Sequence, residues 1–439
     1  MRRWLWLGGS GFVVAVLVTV LFATSAAALP AAAASPGAAT ASDAGGSGKS
    51  SAQASGAPGS DSLAQDGNVA AIGADISRLA VSIAALVTES PAAGDAAKMS
   101  AGQLAGQRVI YSYSGLTPPS RLLRLIRAGD VGGVIFFGGN YSSRSQFTSA
   151  VQKLEKANAA SSNPARSYPL LLMTDQEGGL VRRLPGAPVR SEKWIGSRST
   201  AASRDSQARL AGKGAGQNLR SYGLNVNLAP VLDVYRKAGD FDDQYQRSYS
   251  KNRGIVSTLG ATFIKAQQSA GVAATAKHFP GLGAATASED TDVRPVTITL
   301  SRSSLQNVDE YPYKAAIAAG VNLVMVSWAK YPNLGSNRPA GLSSTIVQYQ
   351  LRKRLGFKGL TITDAIGAGA LGAYGSIANR ALQAAIAGMQ IILSAGQNPT
   401  EGVAAASGLA SGYRSGKLGH ATFQATVTQI LTLRSQLPA

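Results

Sequence analysis

The chain has no cysteine, and its 439 residues include only two histidines, His278 and His420. The first absence excludes disulfides, thiolate nucleophiles, Cys-ligated zinc and a lipid-modified N-terminal cysteine. It does not exclude export, because a chain this long can bury a large core without disulfide support. The second confines any histidine chemistry to two positions. Charge is also scarce: Asp, Glu, Lys and Arg make up 15% of the residues, against roughly 25% in an average soluble domain. Acid is scarcer than base, with 23 Asp and Glu against 42 Lys and Arg, a formal net charge of +19. Such an excess attracts anionic partners over long range, and an anionic cell-wall polymer or a membrane surface fits it. No nucleic acid is expected. The basic residues are scattered rather than grouped, and few aromatics lie between them to stack on bases.

Aromatic residues are missing altogether from position 23 to position 110. Within the first thirty residues, Arg2 and Arg3 precede an uncharged apolar run (4–29) and small residues with Ala-x-Ala choices, the pattern of a secretory signal peptide. The stretch 12–29 is 18 residues long, enough to span a bilayer, so an uncleaved signal anchor fits the same residues. Either reading puts the remainder outside the cytoplasmic membrane, secreted or anchored at its outer face or the cell wall. Residues 31–75, dominated by Ala, Gly, Ser and Pro, cannot bury enough apolar surface to offset their ordering entropy and read as a disordered linker. The linker's GGSGKS (45–50) lacks the first glycine of a phosphate-binding loop, Asp43 standing there instead, and no strand precedes it. A mildly amphipathic stretch, 76–87, predicts a leading helix.

From residue 98 to 439 the pattern is one domain. Short apolar runs alternate with helical periodicity, the signature of βαβ units. The runs are RVIYSYS (108–114), VGGVIFFGG (131–139), YPLLLMTD (168–175), LNVNLAPVLDV (224–234), GVAATAKHF (271–279), VNLVMVSW (321–328), GLTITDA (359–365) and MQIILSA (389–395). Helical patterns between them include SRLLRLIRAG (120–129), 145–159, IVQYQLRKRL (346–355) and IANRALQAAIAG (377–388). Eight strands in this rhythm predict an α/β fold, a (β/α)8 TIM-type barrel and single catalytic domain, with only a short helical segment after Leu393. Active sites of such barrels lie at the C-terminal strand ends. Here Asp175, Asp233, Lys277 with His278, and Asp364 end four of the runs, which points to a common cleft. The turn GAGALG (367–372) matches a dinucleotide fingerprint in form, but the next strand ends without the acidic residue that a ribose needs. No cofactor and no metal are expected, and the chain reads as a monomer.

Three segments, TDQEGGLVRRLPG (174–186), KHFPGLG (277–283) and GFKGLTITDAIGAGAL (356–371), resemble signatures of glycoside hydrolase family 3. They stand in the family's order, each at a strand end, and the resemblance runs over roughly residues 100–435. It is nearest to the single-domain β-N-acetylglucosaminidases. The resemblance implies an exported glycosidase that cleaves β-linked amino sugars, such as β-N-acetylglucosaminides of cell-wall fragments, by a retaining mechanism. It implies Asp364 as nucleophile, and Asp175, Arg183, Arg247, Lys277 and His278 as substrate-binding residues. Retention needs a second carboxyl or other acid/base about 5 Å from the nucleophile.

At that second group the chain departs from the pattern. The glucosaminidases follow KHFPGHG with an Asp-Ser-His triplet whose histidine is the acid/base. Here Leu282 replaces the second histidine, and Ser288, Glu289 and Asp290 stand where the triplet should be. With His278 assigned to the sugar site and His420 in a C-terminal helical pattern, no histidine remains for the role. A carboxylate of the loop SEDTD is expected to take it: Asp290 first, Asp292 second, with Glu289 also available. A carboxylic acid in a closing pocket can have its pKa raised enough to protonate a leaving group. The alternative is a catalytically impaired barrel that acts as a cell-wall sugar-binding protein.

Overall fold

The computed structural model describes residues 90–438. The expected signal segment, linker and leading helix lie outside the described residues. The barrel strands are β1 (Val109–Tyr111), β2 (Gly133–Ile135), β3 (Leu171–Thr174), β4 (Val226–Asn227), β5 (Ala273–Phe279), β6 (Leu323–Val326), β7 (Leu360–Ala365) and β8 (Ile391–Leu393). They close in the order β1-β8-β7-β6-β5-β4-β3-β2, and every neighbouring pair is parallel. The intervening helices are α1 (Ser120–Ala128), α2 (Arg144–Ala159), α3 (Ala201–Ser221), α4 (Arg253–Ser269), α5 (Tyr311–Ala318), α6 (Thr345–Arg354) and α7 (Ile377–Ala387). After β8 come α8 (Pro399–Arg414) and α9 (His420–Gln436). The eight expected strands are all present.

Period-two alternation divides the core. Along β3, Leu171 and Met173 join Ile110, Ile135, Val226, Leu323, Ile362 and Ile391 inside the barrel, while Leu172 faces the helices with Val109, Val134 and Val324. Helix ends follow local chemistry. Side chains of Ser143, Thr200, Asn252, Ser376 and Asn398 cap α2, α3, α4, α7 and α8, taking up amide groups that have no partner within the helix. Gly129 ends α1 at φ +80, a left-handed position that glycine adopts without strain. Helix α3 presents Ala208, Ala211, Gly212, Ala215 and Gly216 as a buried stripe. A Cβ at Gly212 would sit 2.4 Å from the Phe263 carbonyl oxygen, so α3 and α4 touch backbone to backbone.

The C-terminal helix closes the end of the barrel remote from the cleft. Ile430 and Leu433 enter the barrel interior, and buried Arg434 donates to the carbonyls of Pro169 at 2.7 Å and Tyr168 at 2.8 Å. Two features were not legible in the sequence. Helix α6 winds as a π-helix, rare at this length, and the structure offers no evident cause. A two-stranded hairpin, Gln176–Gly178 with Val181–Arg182, follows β3 directly and carries part of the site. Among the described residues, no helix is long and apolar enough to cross a membrane.

Candidate active site

The C-terminal ends of the strands surround a cleft of about 400 Å³. Its floor is the top of the barrel core, Ile135, Leu228, Met325 and Leu393. Leu180 and Tyr245 stand on its rim, 62% and 45% exposed. One wall is a connected set of ions. Lys277, at the end of β5, reaches Asp175 at 2.7 Å and Glu177 at 2.8 Å. Arg247 grips both oxygens of Glu177 at 2.9 Å and contacts Asp242 at 3.1 Å. Burial works to raise the Glu177 carboxyl, but Arg247 and Lys277 outweigh it and hold it down at about 2. Burial likewise works to lower Lys277, and Asp175 and Glu177 together keep it above its ordinary value.

His278 is held from both sides. Its Nδ1 lies 2.7 Å from Asp233 Oδ2, and Arg247 Nη2 lies 3.3 Å from Nε2. The latter is a hydrogen bond only while Nε2 keeps its lone pair. Burial opposes protonation and Asp233 promotes it; the balance is upward. Asp233 also accepts the Leu282 amide at 2.5 Å, so Leu282 buttresses the histidine clamp through its backbone. Asp242 is pushed up to about 7, first by burial and then by Asp233. Glu192 beneath is raised well above its usual range by burial and by Glu177, and accepts the Val231 amide at 3.0 Å. Arg183 lines the cleft with its Nε buried and unpartnered among the described residues.

The opposite wall is sparser. Asp364 ends β7, with one oxygen accepting the Ala365 amide at 2.8 Å. Buried Trp328 fixes that strand end by donating to the Ala365 carbonyl at 2.8 Å. Across from it runs the acidic loop. Asp290 accepts the Asp292 amide at 2.9 Å and so shapes the turn. The Asp292 carbonyl receives the Gly369 amide at 2.8 Å, and the Thr291 carbonyl receives that of Ala370 at 3.1 Å. A Cβ on Gly369 would come within 2.1 Å of the Val293 oxygen, so only glycine lets the loop seat on the turn that follows Asp364. The Asp292 carboxyl is raised to about 7, chiefly by Asp364, then by burial and Asp290. Asp292 as a residue is solvent-exposed, so repulsion from Asp364 more than desolvation is what raises it.

The cleft thus brings together Asp175, Arg183, Arg247, Lys277, His278, Asp290, Asp292 and Asp364. Glu289 lies outside its lining and instead accepts the Thr286 amide at 2.7 Å. His420 is held elsewhere, stacked on Tyr413 at 4.3 Å. The sequence reading assigned nothing to Glu177, Asp242 or Glu192, and noted Asp233 only as a strand end. For Glu177 a signal existed: it stands two residues after Asp175, on the same side of an extended segment. Among the described residues, Asp233, Asp242 and His278 form a group with metal-ligand spacing. Both Asp233 oxygens and His278 Nδ1 are already engaged in hydrogen bonds to one another and to Leu282, so the group fits a hydrogen-bonded clamp better than a ligand set.

Comparison with known proteins places the chain in a family. The model of the glycosyl hydrolase family 3 N-terminal domain matches residues 101–433. A protein of Arthroderma benhamiae named as an uncharacterized secreted glycosyl hydrolase is 44% identical over 336 residues, 76% of this chain and 93% of that one. A beta-hexosaminidase of Nitrosomonas eutropha is 34% identical over 60% of this chain and 73% of its own length. Among solved structures, a family 3 beta-N-acetylglucosaminidase from Paenibacillus superposes with a TM-score of 0.71 at 32% identity. That match covers 77% of this chain and 62% of the Paenibacillus chain. The chain belongs to glycosyl hydrolase family 3 and is a glycosidase.

Proposed function

We propose that the protein is an exported, retaining β-N-acetylhexosaminidase that acts on β-linked amino sugars of cell-wall fragments, with Asp364 as nucleophile and Asp292 as acid/base. The observation that carries this reading is the unequal pair of carboxyls on one cleft. Asp364 raises Asp292 to about 7, so at neutral pH one carboxyl has a proton to give while its neighbour attacks. Asp290 is the weaker choice for acid/base because one of its oxygens is occupied in the turn. The amino-sugar preference is supported by the hexosaminidase relatives, and export by the secreted relative together with the N-terminal pattern.

In the first step Asp364 attacks the anomeric carbon while Asp292 passes its proton to the departing oxygen. Formation of the glycosyl ester removes the negative charge of Asp364 and with it the main force that raised Asp292. Asp292, having given up its proton, therefore stays ionised and takes a proton from the incoming water, whose oxygen attacks the anomeric carbon, breaks the ester bond to Asp364 and releases the sugar with retained configuration. Asp175, Lys277, His278 and Arg183 offer hydrogen bonds to the ring hydroxyls. Arg247 acts mainly by holding Glu177, Asp242 and His278 in register. Aryl β-glycosides tested on wild type and on Asp364→Asn provide the test. The variant should lose at least about 10³-fold in turnover with its fold intact, and a 2-fluoro sugar should label Asp364 in the wild type. Labelling of another residue contradicts the assignment.

A further inference from the structure

A second cavity, about 440 Å³, opens at the N-terminal ends of β1 and β8, the end of the barrel remote from the cleft. Arg108, Arg352 and Lys417 line it, and no Asp or Glu does. Arg108 is only 3% exposed. Its Nε donates to the Gln390 carbonyl at 2.9 Å and its Nη2 to the Met389 carbonyl at 2.8 Å. The guanidinium is stacked on Phe423, 4.3 Å from the ring centre. Arg352 meets the same residue from the other side, through the Gln390 side chain, and lies over Phe357 at 4.9 Å. Carbonyl dipoles and ring faces orient both guanidiniums, yet none of these groups carries a negative charge.

Buried Arg434 is likewise held by neutral groups, the carbonyls of Pro169 and Tyr168, whereas other cations of the molecule meet carboxylates. Arg247 has Glu177 and Asp242, Lys277 has Asp175 and Glu177, Arg236 has Asp309, and Arg354 has Glu310. Buried charges are normally compensated, because an unpaired one keeps its full desolvation cost. Burial alone lowers Arg108 to about 9 and Arg352 to about 10, with no carboxylate opposing it. A guanidinium has five N–H donors, and the hydrogen bonds of Arg108 to the described residues use Nε and Nη2 alone. The cavity that Arg108, Arg352 and Lys417 line offers space for an anion.

We propose that this cavity is a binding site for a phosphate-type oxyanion, held by Arg108, Arg352 and Lys417. Planar guanidinium forks suit tetrahedral oxyanions, and exposed Lys417 adds a flexible third charge at the mouth. Such a site would hold the barrel against a phosphate-bearing surface or polymer with the catalytic cleft facing away from it.

Inorganic phosphate is the probe, titrated calorimetrically into the full-length protein in chloride buffer of matched ionic strength, with thermal melting in parallel. Phosphate should bind and raise the melting temperature beyond chloride. Lys417→Glu, at an exposed position, and Arg352→Gln should each weaken binding at least about tenfold, with aryl-glycoside turnover unchanged. Displacement of phosphate by a soluble glycerol-phosphate oligomer would identify a polymer ligand. Displacement by phosphatidylglycerol vesicles would identify a head group, and displacement by neither leaves free phosphate. Equal stabilisation by chloride and phosphate overturns the proposal, as does wild-type phosphate affinity in Lys417→Glu.

Discussion

The two walls of the cleft are built on different principles. The wall of Asp175, Glu177, Arg247, Lys277 and His278 is buried, and its charges meet opposite charges at 2.7 to 3.1 Å. The wall of Asp290 and Asp292 is a surface loop, seated through backbone amides of Gly369 and Ala370, and its carboxyls face another carboxylate rather than a cation. The first wall spends its charges on fixing geometry. The second leaves a charge uncompensated, and that repulsion raises the Asp292 carboxyl, which under the proposed function keeps a proton available for catalysis. Mutations should therefore separate the two: stability suffers on one side and proton transfer on the other.

The largest stability effect should come from Glu177→Gln. The substitution leaves Arg247 and Lys277 buried without their shared carboxylate, and breaking such a pair costs about 3 to 5 kcal/mol. Chemical denaturation of the variant measures it; a loss below about 1 kcal/mol would mean that the ionic wall is not what holds this side of the site. On the loop the same measurement should register little. Asp290→Ala removes the acceptor that shapes the turn and should cost about 1 kcal/mol. Glu289→Ala, outside the cleft, should stay within about 0.5 kcal/mol of wild type and keep full turnover. A loop substitution as damaging to stability as Glu177→Gln would erase the distinction between the walls.

The barrel was legible because its strands are short apolar runs that alternate with helical patterns, four of them closed by charged residues, as in LLLMT before Asp175 and LTIT before Asp364. Asp175, Arg183, Arg247, Lys277 and His278 were legible as cleft residues through the motifs that contain them. Asp242 was not, because FDDQYQ carries no periodicity and the sequence does not show that Arg247 bridges Asp242 and Glu177. The acid loop was legible as a loop of the cleft, with Asp290 and Asp292 in its lining. Counting residues from KHFPG reached the loop and placed Asp290 ahead of Asp292. The counting had no means of knowing that Asp290 would fold back on the Asp292 amide, or that the loop would be tied to the turn after Asp364. The anion-poor cavity at the other end was invisible, since Arg108, Arg352 and Lys417 are widely separated in the chain.

The central claim is that Asp292, raised by Asp364, supplies the proton. Its most direct test compares Asp292→Ala with wild type on two β-N-acetylglucosaminides, one with an activated aryl leaving group and one with a poor alkyl leaving group, with and without azide. The account predicts a loss of about 10² to 10⁴-fold on the poor substrate and a much smaller loss on the activated one. Azide should partly restore the activated reaction by entering the space left by the carboxylate. In the wild type, turnover of the poor substrate should fall as pH rises through about 7, where Asp292 gives up its proton. Equal losses on the two substrates, no azide rescue and an unchanged pH profile in the variant would contradict it.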